Sequence, residues 1–265
     1  MEGPLLAWWT LLCAAAVFNV AAWAVSFARW RRGPGLADPG LRATRKAMVW
    51  LSAVYVAGCA FRSILPMVDV PRFCLHDTPL SRVFVGRSVA TVAELCFALQ
   101  WALLLREMSG GRGAAGAVAR AVMPLIAVAE ACSWAAVLLS RNLLHAIENS
   151  LWALVACLAL FAFGTLHGRM GESEQRFLLA AAACAGGYIG FMLVVDVPMY
   201  VARWLEAAAA PTSLAAGLAS ALAPCVVQHD WGAWREDALW LTLYFTLAVW
   251  ISIALAHAPA LKPGR

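Results

Sequence analysis

Seven apolar stretches, each long enough to cross a bilayer, dominate this sequence: about 5–29, 46–67, 83–105, 117–139, 143–166, 177–200 and 237–258. A spanning helix needs about 20 mostly apolar residues, and lipid tolerates only helices and closed barrels because each backbone polar group must be satisfied internally. Hydrophobic residues make up 63% of the 265 and charged residues 13%, against roughly 45–50% and about 25% in a soluble domain. A soluble fold of this length has no interior for that much apolar surface. The expected fold is all-α: a polytopic integral membrane bundle of seven transmembrane helices, a single transmembrane domain over 1–265, with the lipid bilayer as its surroundings. The first stretch lacks the charged start of a cleavable signal and reads as a retained helix. Only Ser140-Arg141-Asn142 separates the fourth and fifth stretches. A re-entrant hairpin there would leave six crossings, although each half is long enough to span.

Orientation follows from Lys and Arg in the short loops. The first loop carries Arg29, Arg31, Arg32, Arg42, Arg45 and Lys46; the third Arg106, Arg112 and Arg120; the fifth Arg169 and Arg176; the tail Lys262 and Arg265. The alternate loops hold Arg72 and Arg82, then Arg141, then Arg203 and Arg235. The more basic set is expected in the cytoplasm, with the N-terminus extracytoplasmic and the C-terminus cytoplasmic. The net charge of +5 is thus an orientation signal. It does not mark a nucleic-acid partner, because the basic residues are not interleaved with aromatics on a soluble face. Tryptophans near the span ends, Trp8, Trp9, Trp30, Trp204, Trp231 and Trp234, read as interfacial anchors.

A short internal duplication marks the loops on the expected outer side. Val68-Asp69-Val70-Pro71 ends the second stretch and Val195-Asp196-Val197-Pro198 the sixth. Downstream of the first come Cys74, His76-Asp77 and Arg82; downstream of the second come Cys225, His229-Asp230 and Arg235, with the same six-residue step from His to Arg. The arrangement predicts a parallel internal repeat of three, one and three helices: unit one at about 1–106, a linker helix at 117–139 and unit two at about 143–258. In plan it is similar to the sugar-transporting SWEETs. Cys74 and Cys225 are expected close enough for a disulfide. The insert between Trp204 and Pro224 is expected to form a short helix at the membrane surface. Proline disfavours helix in the residue before it, so both Asp-Val-Pro copies are expected to end their spans, with Asp69 and Asp196 interfacial. Asp77 and Asp230 read as N-caps of the third and seventh spans. His76, Asp77, His229 and Asp230 together offer the donor types for a divalent metal, a weaker reading than capping.

Ionisable residues inside spans are costly and are functional candidates by default. The third span places Arg87, Thr91 and Glu94 on one face, then Gln100 and Trp101. The fourth carries Glu130 with Ser133 and Trp134. The fifth carries His145, Glu148, Asn149 and Trp152, and the second Tyr55, Cys59 and Arg62. The candidate binding residues are Arg62, Arg87, Glu94, Trp101, Glu130, His145, Glu148, Asn149 and Trp152, expected around an outward-facing polar cavity that takes a small-molecule or lipid ligand. Arg87 and Glu94 sit two turns apart, which argues against direct pairing within the helix. Polar glue between helices is the bland alternative.

Known catalytic and nucleotide-binding motifs are missing from the text, and so is the seventh-span lysine that a retinal Schiff base needs. The lysines are Lys46 and Lys262. No histidine pair within the spans has the placement for haem, so neither cofactor is expected. Three functions remain. One is a small-molecule carrier or permease. A second is a membrane-embedded enzyme acting on a lipid or isoprenoid, with Glu94, Glu130 or Glu148 as acid or base. The third is a ligand-binding seven-helix receptor or sensor. The orientation is checked by a single cysteine introduced at Gly110 in a cysteine-free background. It should react with a membrane-impermeant maleimide only after the cells are opened; reaction in intact cells reverses the assigned topology.

Overall fold

The computed structural model describes residues 2–32, 38–207 and 212–258. Lys262 and Arg265, two of the orientation residues, lie outside them. Among the described residues seven helices are long and apolar enough to cross a membrane: α1 (Gly3–Arg32), α2 (Pro39–Ile64), α3 (Val83–Ser109), α4 (Gly113–Leu139), α5 (Asn142–His167), α6 (Glu172–Glu206) and α8 (Trp231–Ala256). A short helix, α7 (Leu214–Leu222), stands between the last two. The protein is therefore an all-α, multi-pass membrane protein. α4 and α5 are full-length helices joined through Ser140, which adopts a positive φ of 51°. The chain thus crosses twice here and does not form a re-entrant hairpin.

Local chemistry explains the helix ends. Asp38 caps α2: its Oδ1 accepts from the backbone N–H of Gly40 at 2.8 Å and of Leu41 at 3.3 Å, and Pro39 occupies the first turn, where a missing N–H costs nothing. α3 passes to α4 through Gly110 and Gly111, whose φ values of 58° and 73° suit residues without a Cβ.

Two compact units make up the chain. The first comprises the described residues of Met1–Phe97, Val137–Ser140 and Pro211–Ala256; the second those of Ala98–Ala136, Arg141–Ala210 and His257–Arg265. In the first, α1, α2 and α8 pack around Leu5, Trp8, Leu12, Tyr55, Val56, Trp234, Leu241 and Phe245. Trp8 and Trp234 are 8% and 0% exposed, their rings 5.6 Å apart. They are core residues of this unit, which corrects the interfacial reading of both. Each indole N–H has an internal acceptor, Thr242 Oγ1 for Trp8 and the Gln228 carbonyl for Trp234, so burial leaves no polar group stranded. In the second unit, α5 packs against α6.

A small sheet ties the loops of the first unit. β1 (Met67–Val68) runs antiparallel to β2 (Phe73–Cys74), and β2 runs parallel to β3 (Val226–Val227). Beside it Cys74 and Cys225 form a disulfide, Cα atoms 5.9 Å apart, within the range that such a bond requires. α7 is capped by Ser213 and packs Ala221 against Val83 and Val137. Gly217 in α7 lies directly against the Leu138 carbonyl, where a Cβ would collide. Arg72 donates to the Val137 carbonyl near the end of α4, where helix carbonyls lack intrahelical donors.

The two Asp-Val-Pro copies differ in backbone. The first lies past the end of α2, in the loop, with a cis Val70–Pro71 bond. The second does not end its span. α6 widens into a π turn at Met192–Asp196 and continues to Glu206. Pro198 has no N–H for the Val194 carbonyl, and the helix accommodates this by letting the Val197 N–H reach Met192 O. A proline inside a span is tolerated when local π adjustment re-satisfies the backbone. A second π turn occupies Tyr244–Ala248 of α8, and Asn19 Nδ2 of α1 donates to the Phe245 carbonyl within it at 2.8 Å. The expected caps also shift. Thr78, not Asp77, caps the 3-10 turn Pro79–Ser81 before α3. Asp230 holds the N-cap position of α8 without a side-chain bond, and Glu2 Oε2 accepts from the Trp231 N–H at 3.0 Å instead.

Peptide mapping without reductant should recover a Cys74–Cys225 cross-linked pair. Cys225→Ser should lower unfolding stability by about 2–4 kcal/mol. Reductant should destabilise the wild type by the same amount and leave the variant unchanged; equal sensitivity of both would remove the cross-link from the fold.

Candidate functional site

Each unit holds its own buried polar group. In the first, the chain turn at Asp69 and the start of α3 bring Asp69, Arg87 and Glu94 together. Arg87 Nη2 lies 2.6 Å from Glu94 Oε2, and Arg87 Nη1 lies 3.8 Å from Asp69 Oδ2. The side chains of Arg87 and Asp69 are 5% and 9% exposed, that of Glu94 24%. The direct Arg87–Glu94 pair corrects the expectation that two turns are too far. Seven residues rise about 10.5 Å, and an extended arginine and a glutamate reaching toward each other cover that span. Thr91, midway, lies 3.5 Å from Arg87 Nε. Arg62, two residues before the end of α2, is equally buried. It donates from Nη2 to the Met67 carbonyl at 3.1 Å and sits 6.0 Å from the centre of the Phe245 ring.

In the second unit the polar side chains come from α4, α5 and α6. Glu130 of α4 is buried, and one of its carboxylate oxygens lies within 4.8 Å of one from Glu148 of α5. Glu148 Oε2 is 2.8 Å from His145 Nδ1. One turn on, Asn149 Nδ2 donates to Asp196 Oδ2 at 3.0 Å, and the His145 ring lies 5.0 Å from that of Tyr200 on α6. The spacing of His145, Glu148 and Asn149 at i, i+3 and i+4 places all three on one face of α5. Ser133, one turn past Glu130 on α4, is fully buried with no hydrogen-bond partner for its hydroxyl. By contrast Ser63, Ser88 and Ser150 each bond back to a carbonyl of their own helix. Trp101 packs near Phe163, ring centres 6.0 Å apart, and Trp152 is half-buried on α5.

Asp196 is the residue that sequence reasoning misplaced. Expected at the interface, it is 2% exposed and faces Asn149 because α6 runs on past Pro198. The signal lay in the apolar run beyond the proline, Met199-Tyr200-Val201-Ala202, which keeps the chain helical through the break.

The residues weighed for a metal lie in the disulfide-bearing loops of the first unit. His229 Nε2 is engaged with the Leu75 carbonyl at 3.1 Å. His76 packs edge-on against Trp9, ring centres 4.9 Å apart. Burial, and then the neighbouring His229, hold the His76 imidazole below its ordinary pKa. Asp77 and Asp230 are exposed. Among the described residues no three of these four bring ligand atoms to one point.

No family model matches the chain, and neither a curated protein nor a solved structure is similar to it. Removing Arg87 takes the cation from the buried Asp69 and the part-exposed Glu94 carboxylates, and breaking a buried pair costs about 3–5 kcal/mol. Arg87→Met should lower stability in detergent by that amount, measured by equilibrium unfolding, with part of the loss recovered when Glu94→Gln is added. Independent, additive losses would mean that the two side chains do not act on each other.

Proposed function

We propose that this protein is a small-molecule carrier, with its N-terminus extracytoplasmic, and that the polar side chains of α4, α5 and α6 handle the solute or its coupling ion. One observation carries the reading: α6 widens into a π turn at Met192–Asp196 without being broken, and the carboxylate in that turn is buried against Asn149. π turns inside helices recur at functional sites, because the wider turn sets its side chains apart from the regular helix and gives the helix a place to move. A carboxylate in that position is expensive unless it serves a purpose that packing alone does not. The basic first, third and fifth loops support the orientation.

The alternative enzyme reading draws on a different contact. His145 and Glu148, buried and 2.8 Å apart, have the geometry of an acid–base pair, and a lipid substrate would then reach them from the bilayer.

Flux and turnover separate the two readings. Purified protein in liposomes should move at least one solute from a panel of small organic anions, cations and neutral metabolites faster than empty liposomes. Asp196→Asn should reduce that flux about tenfold or more while the seven-helix fold, followed by circular dichroism and size exclusion, is retained. Undiminished flux in Asp196→Asn would overturn the placement of the site. Chemical conversion of a bilayer lipid without any solute flux would favour the enzyme.

A further inference from the structure

Three arginines are buried among the described residues, Arg45, Arg62 and Arg87, and all belong to the first unit. They are not equivalent. Arg87 has two carboxylates at hand. Arg45 is directed at the Met48 sulfur, near the start of α2. Arg62, two residues from the end of α2, has no carboxylate within ion-pair distance among the described residues. Its side chain donates to one neutral carbonyl, that of Met67, and faces the Phe245 ring. Its Nε–H is buried and has no acceptor. Guanidinium carries five donors in a rigid fork matched to an oxyanion. A buried cation that keeps one neutral acceptor and leaves a donor stranded is costly to the fold, and such groups are ordinarily paired.

The surroundings of Arg62 favour a small anion over other compensation. Arg62 is 5% exposed and held against the Met67 carbonyl and the Phe245 ring, whereas a snorkelling arginine keeps its charged head in water. Arg62 is two residues from the end of α2 and bonds to the Met67 carbonyl of β1, the strand next to the disulfide-bearing β2. On the same face of α2 lie Cys59 and Tyr55, and Tyr55 stacks on Phe97, ring centres 4.7 Å apart. Phe245 itself belongs to the π turn of α8, a helix segment whose wider turn is easier to rearrange than regular α-helix. A guanidinium with the Phe245 ring beside it is complementary to an organic carboxylate.

We propose that Arg62 is the oxyanion-binding residue of a site in the first unit, and that its ligand is a small organic monocarboxylate. The proposal deepens the carrier reading by naming a solute class, and its role in transport rests on that reading. Binding, however, is measured without transport, so the two can fail separately.

The test uses the full-length protein in dodecyl maltoside, with thermal unfolding followed by intrinsic tryptophan fluorescence. Sodium benzoate and sodium butyrate should raise the unfolding midpoint by about 3 °C or more, whereas sodium chloride at equal ionic strength should not. Inorganic phosphate, and nanodiscs with and without phosphatidylglycerol, form the other arms. Arg62→Met should fold and lose the carboxylate-dependent rise. Arg62→Lys, which keeps the charge and loses the fork, should bind about tenfold more weakly by isothermal titration, and it serves as the readout if the methionine variant fails to fold. No rise with either carboxylate, or an undiminished rise in Arg62→Met, overturns the site. A rise with phosphatidylglycerol alone assigns Arg62 to a lipid phosphate and overturns the small-anion ligand. Carboxylate binding that depends on Arg62 in a protein with no flux would leave this site standing and remove the carrier; flux untouched by Arg62→Met would do the reverse.

Discussion

In hydrocarbon a backbone N–H or C=O without a partner costs several kcal/mol, and this constraint governs the whole chain. It makes every crossing a helix, and it makes each departure from regular helix informative. Two departures stand inside spans. At Met192–Asp196 the cause is covalent: Pro198 has no N–H, and the turn widens to recover a partner. At Tyr244–Ala248 a side chain from another helix, Asn19, reaches the Phe245 carbonyl. Both solutions keep the helix whole while loosening one turn, and each lies beside a buried polar or cationic group, Asp196 in one case and Arg62 in the other.

Charge is distributed unevenly. Among the described residues the first unit holds all three buried arginines, and there Arg87 is matched by Asp69 and Glu94 while Arg62 is matched by no carboxylate. Among the described residues of the second unit the buried ionisable groups are three carboxyls and one imidazole: Glu130, Glu148, Asp196 and His145. Ion pairs used only as glue tend toward local neutrality, since each unmatched charge adds its own desolvation cost. An arginine left without a carboxylate and a carboxylate set in a π turn are the two features of the described residues that packing explains least.

The loops of the first unit are built with more structure than connection requires. A three-strand sheet and the Cys74–Cys225 bond join the chain after α2 to the chain before α8, across 151 residues of sequence. Val137 and Leu138, at the end of α4, are held in the same unit by Arg72 and by the close approach of Gly217. These ties stabilise the ends of α2, α3 and α8, and Arg62 stands one turn below them.

Much of this was legible in the sequence. Length and hydropathy determined seven crossings, because a bilayer needs about 20 apolar residues whatever they touch. Helical spacing determined that Arg87 shares a face with Glu94, and His145 with Glu148 and Asn149. Sequence did not determine what the same four residues do in two places. Val-Asp-Val-Pro leaves the helix after α2 and stays inside it in α6, since a proline ends a helix only where the chain beyond it has somewhere better to go. Nor did it determine that Trp8 and Trp234 are core residues and not belt anchors: a tryptophan near a span end suits either place, and only the packing of α1 against α8 decides. The burial of Asp196 and the lack of a carboxylate at Arg62 among the described residues are likewise tertiary. Each depends on which side chains from distant parts of the chain arrive within a few ångströms, and local pattern carries no record of that distance.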